Sequence, residues 1–63
     1  MSMTLTQEQI DEIYAFQAGL SESEEYLFWN LSVAVMDKRG GTAVMFEDKY
    51  EIMQRWDEFK RED

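Results

Sequence analysis

The sequence predicts a small all-α domain of three helices: a helical hairpin with a third helix added. Three observations predict it. Two capping-box patterns stand where apolar residues begin to recur with a helical period. Glycines punctuate the chain only at Gly19 and at Gly40–Gly41. Proline is absent, so nothing breaks the segments between those glycines.

The first helix is expected over residues 7–18. Thr6 caps it, with Gln9 in the reciprocal capping-box position. Ile10, Ile13, Tyr14 and Gln17 share one face at about 100° per residue, with Phe16 and Leu20 at its edge. Gly19 suits the left-handed position that closes a helix, and Leu20 the apolar contact after it.

The second helix is expected over residues 22–39. Ser21 and Glu24 repeat the capping box, and Glu22, Glu24 and Glu25 complement the positive end of the helix dipole. Lys38 and Arg39 suit the opposite end, and Gly40 follows. Within this helix Leu27, Phe28, Leu31, Ala34 and Val35 form one apolar stripe. Tyr26, Trp29, Val33 and Met36 form a second on roughly the opposite side. A helix apolar on both sides requires neighbours on both sides. Either helices one and three clasp helix two, or one stripe meets another chain.

The third helix is expected over residues 43–60, with Thr42 as its cap. Met45, Ile52, Trp56 and Phe59 form its stripe, widened by Phe46, Tyr50 and Met53. Glu51 to Arg55 and Asp57 to Arg61 have the spacing of i,i+4 ion pairs, and residues 61–63 are expected to fray. A β-hairpin near residues 31–46 competes with the helical reading, because valine-rich arms flank Gly40–Gly41. That alternative makes the domain α+β.

At 63 residues the chain is one domain, short of the roughly 70–80 residues at which a core becomes comfortable unaided. With no cysteine, disulfides, thiolate metal sites and thiol chemistry are excluded. With no histidine, the commonest metal ligand and general base are missing. No Ser-x-x-Lys pattern or phosphate-cradling loop occurs. The acid pairs Glu8/Glu12 and Glu47/Glu51 lack the Glu-x-x-His partners of a dinuclear bundle. DKRGGTAVMFED spans a calcium loop's length, but Arg39 and Thr42 occupy positions that need an oxygen ligand and glycine. The reading is therefore non-enzymatic, with no catalytic residue, metal or cofactor.

The net charge is −8, and residues 1–37 hold seven acids and no lysine or arginine. A field of that sign repels nucleic acid and anionic membrane and attracts basic protein surfaces. Tryptophan, tyrosine and methionine are enriched in interface cores. The partner-binding candidates are accordingly Tyr26, Trp29, Val33 and Met36, together with Glu8, Asp11, Glu12, Glu22 and Glu25. The expected partner is a protein with a basic surface, and the chain itself is expected to form a homodimer. Neither direct nucleic-acid binding nor membrane insertion is expected.

In general character (small, acidic, cysteine-free, helical) the chain resembles the accessory proteins with which bacteriophages block host enzymes and defence complexes. This is a resemblance of composition, not of motif. It implies a protein that binds and inhibits or regulates a partner. One mechanism is mimicry of nucleic acid in a basic groove; alternatives are a homo-oligomeric assembly subunit and an antitoxin-like regulator. MSMTLTQEQ lacks the basic and apolar regions of a secretory signal, so a cytoplasmic location is expected, the host's if the chain is viral.

Overall fold

A computed structural model describes residues 4–60 of the chain. The fold is all-α, with α1 at Gln7–Ala18, α2 at Glu22–Lys38, α3 at Phe46–Gln54 and α4 at Trp56–Lys60. No strand occurs among the described residues, and residues 31–38, the first arm of the alternative hairpin, continue α2.

Both capping boxes form. The Thr6 hydroxyl accepts from the Gln9 N–H at 3.1 Å, and the Gln9 side chain accepts from the Thr6 N–H at 2.8 Å. Ser21 and Glu24 exchange the equivalent bonds at 3.3 and 2.9 Å. Each box satisfies two backbone groups at a helix end, which fixes where α1 and α2 begin.

The two helix ends differ from one another. Gly19 lies in the right-handed region with φ −92°, so the left-handed closure expected there does not form. Leu20 nevertheless packs against the core. Gly40 has φ +77°. Its N–H donates to the Asp37 carbonyl at 3.0 Å, and the Gly41 N–H donates to the Met36 carbonyl at 2.9 Å. This paired 6→1 and 5→2 closure uses the left-handed freedom of Gly40 to end α2.

Residues 43–45 are not helical, contrary to the expected start at residue 43. An ion pair takes over the work assigned to Thr42. The Arg39 guanidinium grips Asp48 through Nε–Oδ1 and Nη2–Oδ2 bonds, both 2.8 Å, and also donates to the Ala43 carbonyl at 2.9 Å. Asp48 Oδ2 accepts from the Met45 N–H at 2.8 Å. The carboxylate thus caps α3 from within its first turn and ties that turn to the end of α2.

The expected third helix is also interrupted at Arg55, which has φ −110° and ψ +18°. No glycine or proline marks the break. The Arg55 side chain lies over the Phe59 ring at 5.2 Å and pairs with Glu58 at 3.6 Å, in place of the expected Glu51 pair. The Asp57–Arg61 pair and the fraying of residues 61–63 fall outside the described residues.

The core is aromatic at its centre. Phe28, Ile52 and Trp56 are buried together, with Phe16, Leu20, Leu31, Val35, Met53 and Phe59 packed around them. Phe16, Phe28 and Trp56 meet mutually at 5.4–5.8 Å in tilted or edge-to-face arrangements, the geometry aromatic quadrupoles favour. Ile13 is fully buried. The element with the most extensive packing against both α1 and α2 is α3. The expected alternative of a central helix two is therefore replaced by a central α3.

Candidate functional site

The second stripe of α2 is where the sequence places its contact residues, and the core-facing side must be located first. Phe28 is 3% exposed and Ser32 is fully buried; Leu31 and Val35 flank them in the core. Leu27 and Ala34, grouped with Phe28 in the first apolar stripe from the sequence, lie outside, with Leu27 38% exposed. Ser32, which belongs to neither apolar stripe, lies inside. Its hydroxyl donates to the Phe28 carbonyl at 2.8 Å, so the buried polar group has a partner within its own helix.

Tyr26 and Trp29 lie about 160° and about 100° around the helix from Phe28. They are 69% and 51% exposed. Among the described residues, no neighbouring helix covers these two side chains. Val33 and Met36, from the same stripe, are half-buried. The stripe is therefore divided: its first two residues face outward and its last two are partly enclosed.

Glu22, Glu25, Tyr26 and Trp29 together line one surface concavity. Their spacing of i, i+3, i+4 and i+7 places them on one helix face. The third acid of the first turn, Glu24, is committed elsewhere. It accepts the Ser21 N–H of the capping box and pairs with Lys60 at 3.0 Å. The Ser21 bond, reinforced by Lys60, pulls the Glu24 carboxyl down from its ordinary 4.5 to about 2. Among the described residues Glu22 and Glu25 make no side-chain hydrogen bond or ion pair. Their carboxylates are exposed beside the two rings.

Glu8, Asp11 and Glu12 occupy the exposed face of α1. Asp11 accepts a bond from the Gln7 side chain at 3.0 Å. These three acids do not line the concavity on α2. The nine sequence-predicted residues thus fall into three groups: the α2 concavity, the half-buried Val33 and Met36, and the α1 acids.

The sequence reading missed two features of the surface. Tyr14 is 57% exposed and touches Phe46 edge-on at 5.7 Å, while Lys49 lies 5.9 Å from the Phe46 ring. The second is the clasp of Arg39 on Asp48. Its bonds hold the Asp48 carboxyl below the usual carboxylate range, chiefly through Arg39 and further through the Met45 N–H. The two residues are nine positions apart, and no local pattern relates them.

No helix here is long and apolar enough to cross a membrane, among the described residues. Comparison of the chain with protein-family models, with curated proteins and with solved structures finds no match.

Proposed function

We propose that this protein works by contact: it binds, and thereby inhibits or regulates, a partner protein with a basic surface, and carries out no catalysis itself. The observation that carries the reading is the exposed Tyr26–Trp29 pair, set beside Glu22 and Glu25 in one concavity. Exposed aromatic rings that join an apolar body to a polar tip are characteristic interface anchors. The half-chain around them holds only acidic charge, which steers a basic surface toward these rings. Absence of histidine and cysteine removes the usual nucleophile–base pairs from consideration.

Mimicry of nucleic acid is the mechanism by which such a chain would block a basic groove, with the α1 acids Glu8, Asp11 and Glu12 adding carboxylates in place of phosphates. The bacteriophage-type accessory role belongs to the same proposal. A second reading, a homodimer joined through Tyr26 and Trp29, draws on the same exposure.

The test is affinity capture from the source organism's lysate at low and high salt, with sedimentation of the purified chain alongside. A partner retained at low salt and released at high salt is expected, since exposed charge pairs are screened beyond a Debye length of about 8–10 Å. Reversal of Glu8, Asp11 and Glu12 to lysine should abolish capture while helicity is preserved. Capture that ignores both salt and charge reversal would refute the electrostatic reading. A stable dimer that retains no partner would favour self-assembly.

A further inference from the structure

We infer that the first two turns of α2 form a clasp for an arginine side chain of a basic partner segment. The guanidinium would lie on the Trp29 and Tyr26 rings, with its N–H groups directed to Glu22 and Glu25. The inference rests on the partner-binding reading above and deepens it by naming the recognised group.

Four observations converge on that occupant. The two rings are exposed on a helix face that, among the described residues, no neighbouring element covers. Both carboxylates line the same concavity and, among the described residues, are engaged by nothing else. The third acid of that turn is already neutralised by Lys60 and the Ser21 N–H, so the outward charge is concentrated at Glu22 and Glu25. No lysine or arginine occurs before Lys38, so α2 itself offers no cation to this face until its last residue.

Charge complementarity selects a cation. The aromatic walls select among cations. A guanidinium is planar and weakly hydrated, stacks on an aromatic face and still presents donors at its edge. An ammonium is compact and strongly hydrated, and would satisfy the carboxylates while gaining less from the rings. A second copy of this chain is the weaker occupant on charge grounds, because it brings another −8 and another pair of glutamates to the same face.

The chain provides its own optical control. Trp56 is 7% exposed within the core and Trp29 is 51% exposed, so occupation of the clasp alters the emission of one tryptophan and leaves the other as background. The probe is a fluorescein-labelled oligo-arginine peptide, followed by anisotropy, with an oligo-lysine peptide of equal length beside it. Tryptophan emission is read in the same titrations with unlabelled peptide. Each variant is checked for helicity by far-ultraviolet circular dichroism.

Expected results are binding of oligo-arginine severalfold tighter than oligo-lysine, with a shift in Trp29 emission. Trp29→Ala should weaken binding by roughly three- to fivefold and abolish the emission change. Trp29→Phe should recover most of the affinity. The Glu22→Gln/Glu25→Gln pair should weaken binding by roughly tenfold.

Equal affinity for the two peptides, or wild-type affinity in Trp29→Ala, would overturn the clasp. So would sedimentation as a dimer in which Trp29 is already shielded. The two proposals fail separately. A salt-sensitive partner captured equally well by Trp29→Ala and wild type sinks the clasp and leaves the basic-partner reading standing. Peptide binding with the expected dependence, but no partner in lysate, does the reverse.

Discussion

Replacement of Phe28 by alanine removes the ring through which α2 enters the core. Phe28 is 3% exposed and touches Phe16 at 5.4 Å and Trp56 at 5.8 Å. Truncation of a buried phenylalanine costs about 3–5 kcal/mol, the upper part applying where neighbours cannot collapse into the space. Two aromatic contacts are lost here, each worth about 0.5–1.5 kcal/mol beyond area, so a value of about 4 kcal/mol is expected. A chain of 63 residues has a total stability on the order of 3–9 kcal/mol, from about 0.05–0.15 kcal/mol per residue. The variant should therefore stand near the edge of folding. Urea titration followed by far-ultraviolet circular dichroism measures the loss, and Phe28→Leu, at roughly 1–2 kcal/mol, keeps the series measurable if the alanine variant is unfolded. Trp29→Ala is the paired control. Its ring is half exposed, and a loss of no more than about 0.5 kcal/mol is expected. A Phe28→Ala loss below about 1 kcal/mol, or a Trp29→Ala loss equal to it, would refute the assignment of inner and outer faces of α2.

The acid side of the stability profile should carry the signatures of Glu24 and Asp48. Both carboxyls are depressed in the fold, Glu24 to about 2, so their contributions are complete above the unfolded values of about 4–4.5. They decline as pH falls from there through the folded values. Measured as the difference in urea midpoint between wild type and Glu24→Gln, the gap should be constant from pH 7 to about 5 and close progressively below about 4.5; a gap independent of pH down to about 2 would contradict the capping and Lys60 contacts. Gly40→Ala should cost about 1 kcal/mol by calorimetry, because φ is +77° with open space around the new methyl and the cost is that of the left-handed backbone alone. Gly41→Ala acts differently: its methyl would meet the Arg39 guanidinium, so the change should disturb the Asp48 clasp and weaken acid sensitivity along with stability. Ser32→Ala should be nearly neutral, while Ser32→Leu should lose about 1–3 kcal/mol in urea titration by overfilling the core.

What could be read from the sequence was local. The capping boxes at Thr6 and Ser21 involve bonds between residues three apart, and they set both helix starts. Gly40 follows a basic last turn, and its closure of α2 needs only the neighbouring carbonyls. The interrupted third helix was not legible, because Arg55 has unexceptional helix propensity and the break has no glycine or proline to announce it. The start of α3 depends on Asp48 reaching Arg39 across a loop, a tertiary event that overrides the local preference for Thr42. The same holds for the faces of α2. Tyr26 and Trp29, read from the sequence as part of one stripe, share a surface, since that is helical geometry, and Glu22 and Glu25 lie beside them. Which surface is buried depends on where α3 docks, and that decision brought Ser32 inward and left Leu27 outside. Gly19 shows the complementary lesson: a residue that permits the left-handed conformation need not adopt it when the following chain continues without a reversal of φ.

The aromatic triad draws its members from Phe16, Phe28 and Trp56, positions spread across most of the polypeptide. During translation α1 and α2 emerge long before their common partner does. Until Trp56 has been synthesised, Phe16 and Phe28 have no complete core to enter, and the nascent chain presents both rings to solvent or to chaperones. Native packing therefore waits until Trp56 has been added to the chain. Cleavage within the Met53–Trp56 region would strand the earlier helices without the side chain that closes their core.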